Sequence, residues 1–186
     1  GKQIQLSTSG QETELDKVMA ERLREPLVHL VRNAIDHGIE LPHERQAAGK
    51  PATGTVSLHA FQETGCIVIE VRDDGRGINR EQVLRHAVER GLISHQEAAE
   101  RDPLELIFEA GFSTLDEATL LSGRGVGMDV VRRTIEELRG KIVVSSTPGV
   151  GSTFQLRLPL SLALIDGFMV MLGEDAYIMP MELVDE

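Results

Sequence analysis

Five polar residues in one short stretch could contact a charged ligand or a metal ion. In HLVRNAIDHG, residues 29–38, these are His29, Arg32, Asn33, Asp36 and His37. At about 100° per residue they fall on one side of a helix, opposite an apolar arc of about 140°. A solvated helical face would normally carry Glu and Lys, because Asn, Asp and His are poorer helix formers. We therefore interpret this side as a binding or catalytic surface, with an ordinary exposed face as the alternative.

A second candidate site follows an apolar strand pattern. In EVRDDGRGI the alternating pattern of Ile67, Ile69 and Val71 ends at Asp73, and Gly75, Gly77 and Ile78 come next. The carboxylate of Asp73 could accept a hydrogen bond from an exocyclic amine such as that of adenine. Glycines at these positions would let the backbone turn tightly and let a flat ligand approach. A DDG turn that binds nothing is the alternative.

A third candidate site combines glycines with the start of a helix. SGRGVGMDVV places Gly123, Gly125 and Gly127 directly before a helical pattern that begins at Met128. Free N–H groups and the helix dipole make such a terminus suitable for phosphate. The chain lacks GxxxxGK[ST], and LDEATLLS precedes the glycines where a dinucleotide-binding fingerprint needs a strand. A flexible linker remains the alternative.

The elements that must position these residues alternate between strand and helix patterns. KQIQLS predicts an opening strand, and the helix of TELDKVMAERLREP should stop at Pro26, which would begin a second helix ending at Gly38. GTVSLHAF and CIVIEVR predict a hairpin, and KIVVSS and TFQLRLPL predict two further strands. REQVLRHAVERG, SHQEAAERDPLELIFEAG and MDVVRRTIEELRG predict helices. Sheet and helices therefore separate into two layers.

The last residues carry a second hairpin pattern. FMVML and AYIMP flank the turn residues GED after the first domain has closed. We therefore divide the chain into a domain over 1–160 and the truncated start of another over 161–186. An extra edge hairpin on the same sheet is the alternative.

Composition limits the classes of partner. A formal net charge of −11 opposes binding to an extended nucleic-acid backbone, because that affinity comes from Lys and Arg. No stretch approaches 18 uninterrupted apolar residues, and the first residues lack the pattern of a signal peptide. We therefore expect a cytoplasmic protein without direct membrane insertion. The single cysteine, Cys66, excludes an internal disulfide and is predicted to lie in the core.

The order of these motifs resembles a known family. HLVRNAIDHGIE, DDGRGI, FEAGFST, GRGVGMD and GSTFQLRLPL resemble the N, G1, F, G2 and terminal glycine boxes of the histidine-kinase ATP-binding domain. RNAIDHGIE and SGRGVGMDVV are most similar to the chemotaxis kinases of the CheA family. The resemblance covers about residues 1–160 and implies an α/β (α+β) two-layer sandwich. Its mixed, mostly antiparallel sheet would be covered by helices on one face, the Bergerat-type fold.

The resemblance also implies roles for individual residues. Asn33 matches the asparagine that binds Mg²⁺, and Asp73 matches the carboxylate that recognises adenine. His29, Arg32 and His37 match positions near the phosphates and are the implied catalytic residues. The other residues implied to bind ATP are Asp36, Gly75, Gly77, Ile78, Ser113, Thr114, Gly123, Arg124, Gly125, Val126, Gly127, Met128 and Thr153.

The implied function is transfer of the γ-phosphoryl group of Mg-ATP to a histidine on a separate phosphotransfer domain. The tail resembles the start of a regulatory domain similar to the coupling protein CheW, which implies CheW and chemoreceptors as partners and response regulators as indirect ones. Two positions depart from the family: Gln82 stands at or near the place of a phosphate-contacting lysine, and Ala110 replaces a common proline.

Two other functions remain open beside this one. Clamp-type ATPases of the gyrase and Hsp90 kinds have a water-activating glutamate four residues before the asparagine, where this chain has His29. An interaction module with a degenerate nucleotide site is the other alternative, against which Asn33, Asp73 and the glycine set argue.

Overall fold

A five-stranded sheet forms the centre of the protein. The computed structural model describes residues 1–112, 127–160, 167–172 and 175–180. The strands of the sheet lie in the order β1-β2-β3-β5-β4. They are β1 (Ile4–Ser9), β2 (Gly54–Glu63), β3 (Cys66–Asp73), β4 (Lys141–Thr147) and β5 (Gly151–Pro159). Only β1 and β2 are parallel, so the sheet is mixed and mostly antiparallel, as predicted.

Helices cover one face of this sheet. They are α1 (Lys17–Asn33), α2 (Pro42–Ala47), α3 (Arg80–Glu89), α4 (Pro103–Leu106) and α5 (Met128–Glu137), with a π-helical segment at Ala34–Gly38 and a 3₁₀ turn at Glu97–Ala99. Leu23 and Leu30 of α1 and Ile135 of α5 belong to the same buried cluster as Val71 and Leu156 of the sheet. A smaller cluster joins α3 to α4. The predicted two-layer α/β fold is confirmed.

The predicted helix break at Pro26 is wrong. One helix runs from Lys17 to Asn33, and Pro26 lies inside it. A proline removes one backbone hydrogen bond and strains the preceding turn. Here the ring is buried with Met19, Leu23 and Leu30, so it contributes to the continuous apolar side that attaches the helix to the sheet. The local signal was outweighed by packing.

The end of α1 departs from uniform α-helical geometry. Ala34–Gly38 forms a π-helical turn, in which Ile39 N donates to Ala34 O at 2.8 Å. Lys2 Nζ donates to the carbonyl oxygens of Ile35 and Asp36 at 2.8 and 2.6 Å. Leu27, Leu30, Val31, Ala34 and Ile35, the predicted apolar arc, all pack in or against the core. The predicted two faces of this helix are therefore confirmed, although its last turn is wider than assumed.

The two predicted hairpins form. β2 pairs with β3 in antiparallel register, and Cys66, predicted to be a core residue, is only half-buried because it begins the strand beside the turn. β6 (Gly167–Leu172) and β7 (Asp175–Pro180) form a separate two-stranded sheet. This argues against an edge hairpin on the main sheet. Among the described residues, no helix combines the length and apolar character that crossing a membrane requires.

Candidate functional site

Asp73 ends β3 as a buried carboxylate. It is 5% exposed, and its Oδ1 accepts a hydrogen bond from Gly75 N at 2.9 Å. Burial raises the pKa of Asp73, hydrogen bonds from the backbone of Gly75 and Ser152 oppose that shift, and the negative charges of Asp74 and Glu40 add to it. A buried carboxylate with such a raised pKa is costly unless it has a partner, so it is a candidate ligand contact.

The glycines after Asp73 are required by close contacts with other backbone segments. A Cβ at Gly75 would clash with the carbonyl of Gly38, and a Cβ at Gly77, where φ is +70°, would clash with the carbonyl of Thr147. Both positions therefore need glycine because other backbone segments approach closely. The predicted reason, approach of a flat ligand, is not the one these contacts support. They pack the turn between the π-helical segment and the β4–β5 hairpin.

Serines of the β4–β5 hairpin complete this end of the site. Ser146 Oγ accepts from Ile78 N at 2.8 Å, donates to Gly151 O at 3.1 Å and contacts Ser152 Oγ at 3.1 Å. Ser152 is 6% exposed and pairs with Asp73 across the β3–β5 ladder. Neither serine stands out in the sequence, because isolated serines are common in turns and strands.

The prediction for Thr153 needs correction. Thr153 is the ladder partner of Arg72, one position away from the Asp73–Ser152 pair. Side chains alternate between the two faces of a strand, so Thr153 lies on the opposite face from Asp73. Ser152 is the hydroxyl residue next to the buried carboxylate. A shift of one residue in the assignment moved the predicted contact to the wrong side of the sheet.

A buried ionic cluster behind the Asp73 turn was also missed. Arg45 of α2 is 0% exposed and Glu40 is 8% exposed. Arg45 Nη1 donates to Glu40 Oε2 at 3.1 Å, Arg45 Nη2 donates to Asp74 Oδ2 at 3.0 Å, and Lys50 Nζ donates to Glu40 Oε1 at 2.8 Å. Hydrogen bonds and the charge of Lys50 hold the pKa of Glu40 below its ordinary value although burial acts to raise it. The HERQAAGK pattern resembles a solvated helix, which concealed the cluster.

The predicted polar face of α1 lies opposite the start of α5. Asn33 Nδ2 donates to Met128 Sδ at 3.2 Å. Burial lowers the pKa of His29, the positive charges of Arg32 and His37 lower it further, and Asp129 of α5 acts in the opposite direction. Asp36 is exposed, and it contributes its carbonyl oxygen to the bond from Lys2.

The N-terminus of α5 lies beside Asn33, and within the described part of the chain no hydrogen bond involves the backbone N–H groups of Met128 and Asp129. Gly127 precedes the helix and supplies no side-chain cap. The first N–H groups of a helix have no intrahelical partner and attract anions. Since the Asn33 amide group donates to sulfur, its oxygen remains for a hard cation such as Mg²⁺. The described residues include no cluster of three His, Cys, Asp or Glu side chains suited to a metal, and a Mg²⁺ bound through one protein oxygen would also use oxygens of phosphate and water.

The predicted contacts thus form two groups at opposite ends of one segment. Asp73 and Gly75 lie beside its C-terminal end at Gly38, and Met128 lies beside its N-terminal end at Asn33, whereas Gly77 and Ile78 contact the β4–β5 hairpin. The remaining predicted residues lie outside the part of the chain that the structure describes: Ser113, Thr114, Gly123, Arg124, Gly125 and Val126.

Comparisons with known proteins agree with this architecture. The family model described as Histidine kinase-, DNA gyrase B-, and HSP90-like ATPase matches residues 19–162. The chain is 48% identical to the chemotaxis protein CheA of Rhizobium meliloti (strain 1021) over 100% of its own length and 25% of that protein. It is 46% identical to the chemotaxis protein CheA of Salmonella typhimurium over 100% of its length and 28% of that protein.

A solved structure has the same fold. The catalytic domain of histidine kinase ThkA has a TM-score of 0.51 and 20% identity, over 86% of this chain and 80% of that one. The chain spans only about a quarter of the length of the two curated relatives. It belongs to the histidine kinase-, DNA gyrase B- and HSP90-like ATPase family, and within that family it is a CheA-type ATP-binding catalytic domain.

Proposed function

We propose that this chain binds ATP together with Mg²⁺ as the catalytic domain of a chemotaxis histidine kinase. It would transfer the γ-phosphoryl group to a histidine on a separate phosphotransfer domain. One observation carries the proposal: a buried carboxylate and an uncapped helix N-terminus lie at the two ends of the segment from Asn33 to Gly38. A base and a phosphate chain need these two chemistries.

At the base end, Asp73 would accept a hydrogen bond from the exocyclic amine of adenine. The carboxylate already accepts from the backbone N–H groups of Gly75 and Ser152, and since a carboxylate has about four lone-pair sites, it can accept a further donor. Burial strengthens such a bond, because water competes poorly for the carboxylate. Ile78 and Ser152 are the neighbouring residues that would limit the position of the base.

At the phosphate end, the polar face of α1 would orient the triphosphate. Burial lowers the pKa of His29, which favours the neutral ring, and a neutral ring can donate one hydrogen bond without adding charge. The negative charge of the triphosphate would be stabilised by Arg32, by His37 and by the first N–H groups of α5, near Gly127 and Met128. Mg²⁺, when bound at the Asn33 oxygen, would supply further charge neutralisation. Positioning and electrostatics are the main contributions that a protein makes to phosphoryl transfer.

The partners follow from the relatives, and each is part of the proposal. A phosphotransfer domain would supply the acceptor histidine, and response regulators would receive the phosphoryl group from it. Residues 161–186 would be a linker and the first strands of a CheW-like regulatory domain, through which CheW and chemoreceptors would act. The hairpin of β6 and β7, separate from the main sheet, supports this division of the chain. The expected compartment is the cytoplasm.

The decisive experiment follows the γ-phosphate. The chain is mixed with ATP labelled at that position and with the phosphotransfer domain of the same kinase, and the product is tested for an acid-labile, base-stable phosphoryl group. We expect transfer by the unchanged chain, none by Asn33→Ala, and normal transfer by the control Gln62→Ala, which alters an exposed amide on β2. Steady release of free phosphate without an acceptor would instead indicate a clamp-type ATPase. Absence of both products with intact ATP binding would indicate a nucleotide-sensing module.

A further inference from the structure

The buried cluster of Glu40, Arg45, Lys50 and Asp74 contacts the turn that carries Asp73. Arg45 Nη1 and Lys50 Nζ both donate to the carbonyl oxygen of Asp74, at 3.1 and 2.9 Å. Lys50 Nζ also donates to the carbonyl oxygen of Gly75 at 2.6 Å. Two cations are therefore directed at two consecutive backbone carbonyls. These bonds are additional to the ion pairs that the same cations make with Glu40 and Asp74.

The first of these peptide groups connects the cluster to Asp73. The carbonyl of Asp74 and the N–H of Gly75 belong to one planar unit, so fixing one end fixes the other. Its oxygen is held by Arg45 and Lys50, and its N–H donates to Asp73 Oδ1 at 2.9 Å. Rotation of this unit would break all three bonds together.

The next peptide group repeats the arrangement. Its oxygen, that of Gly75, accepts from Lys50 Nζ, and its N–H, that of Arg76, donates to Gly38 O at 2.9 Å. Gly38 ends the π-helical segment whose other end meets Asn33. Lys50 thus donates to the carbonyl oxygens of this backbone. The N–H groups of the same two peptide units donate to Asp73 and to Gly38 of the π-helical segment. Cations on the oxygens also polarise both N–H donors.

Burial makes this arrangement rigid. The side chains of Arg45, Glu40 and Lys50 are 1%, 10% and 16% exposed. Arg45 Nε is used as well, donating to Pro51 O at 2.7 Å, and Thr55 N donates to Asp74 Oδ1 at 2.8 Å. Two cations and two carboxylates balance each other, so Arg45 and Glu40 can remain charged where they are buried, while the Asp74 side chain is 40% exposed.

We propose that Lys50 and Arg45, balanced by Glu40, are positioning residues that orient the Asp73 carboxylate and so make the site selective for a 6-aminopurine nucleotide. The inference rests on the proposed role of Asp73 in binding adenine. It adds residues that touch neither base nor phosphate, and it assigns them to base selectivity. A cluster that only stabilised the fold would affect all nucleotides alike.

The test compares two ligands that differ only in the recognised amine. Calorimetry with the whole chain measures affinity for ATP and for purine riboside triphosphate, which lacks the 6-amino group. For Lys50→Met we expect ATP affinity to fall about tenfold while the affinity for the comparison ligand changes less than twofold. Lys17→Met removes an exposed lysine, 90% exposed beside Glu21, and should leave both affinities unchanged.

A second variant separates positioning from charge. Glu40→Gln combined with Lys50→Met keeps the cluster neutral but still lacks the bonds to the Asp74 and Gly75 carbonyls. If those bonds matter, the double variant keeps the loss of selectivity, and the Gly75 and Arg76 amides exchange faster with solvent than in the unchanged chain. Restored selectivity in the double variant, or an equal loss of both ligands in Lys50→Met, would overturn the inference.

Failure of the underlying assignment has a different signature. If the unchanged chain binds ATP and purine riboside triphosphate equally, Asp73 does not recognise the amine, and the inference falls with that assignment. If the unchanged chain prefers ATP and Lys50→Met keeps the same preference, only the inference is wrong. Thermal unfolding of each variant without ligand identifies any that fail to fold.

Discussion

Replacing Asp73 with asparagine exchanges one carboxylate oxygen for an NH₂ group. The substitution should weaken ATP binding without lowering the stability of the unliganded protein. The bond from Gly75 N to Oδ1 favours the asparagine orientation that keeps its oxygen there, which places the NH₂ group at the other position. That group would then face the adenine amine as donor against donor. A lost hydrogen bond to a charged group costs about 1.5–3 kcal/mol. The dissociation constant for ATP should therefore rise about tenfold to 150-fold.

The same substitution should not destabilise the unliganded protein. Burial raises the pKa of Asp73 above its unfolded value. A carboxyl group with a raised folded pKa contributes stability at pH values below its unfolded pKa, and this contribution is lost as the pH rises through the folded pKa. At pH values above the folded pKa the wild-type chain therefore bears the cost of a buried charge, which asparagine lacks. We expect the variant to unfold at the same temperature as the wild type or a higher one.

Two measurements on the same samples test this prediction. Calorimetry gives the ATP affinity at pH 7.5, and thermal unfolding without nucleotide gives the midpoint. Purine riboside triphosphate is the control ligand, because it offers no amine and should bind wild type and Asp73→Asn with similar affinity. An ATP affinity within twofold of wild type, or equal losses for both ligands, would refute the role of Asp73.

Three further substitutions test the other parts of the site. Asn33→Ala should remove the gain in ATP affinity that Mg²⁺ provides, and a variant that still gains affinity in a magnesium titration would show that the metal lies elsewhere. The pKa of His29 is lowered from its ordinary value of 6.5, so the stability that this residue contributes is present at pH values above 6.5 and is lost as the pH falls through the folded pKa. His29→Asn should therefore reduce the drop in melting temperature between pH 7.5 and 5.5. An unchanged drop would contradict this. Ser152→Ala should weaken ATP binding by about 1 kcal/mol, roughly fivefold, whereas Thr153→Ala, the matched control on the opposite face, should change calorimetric affinity less than twofold.

The candidate site residues that the sequence singles out are those whose types are unusual for their local structure. A helical face with His29, Asn33 and His37 stood out because those residues are poor choices for a solvated helix. Asp73 stood out because an acidic residue ended an apolar strand. Both signals are local, and the roles of these side chains in binding stay predictions.

The parts that the sequence could not supply depend on contacts between distant segments. The sequence predicts a helix end at Pro26, because the packing that keeps the helix continuous there cannot be recognised from the local sequence. The sequence predicts that Gly75 leaves space for a ligand. In the fold this position needs glycine because a Cβ would clash with the carbonyl of Gly38, which is distant in sequence. Thr153 and Ser152 could not be distinguished, because only the ladder register decides which of two neighbours faces Asp73.

Arg45 and Lys50 illustrate why residues that support a site are harder to find than residues that form it. Both types are ordinary on exposed helices, so nothing in HERQAAGK departs from the expected composition. Their importance follows from three-dimensional facts: the 0% exposure of Arg45 and the direction of both cations toward the carbonyls of one turn. Because that turn orients the one carboxylate proposed to recognise the base, a change in the connection between the π-helical segment and β2 should alter nucleotide selectivity without touching the nucleotide.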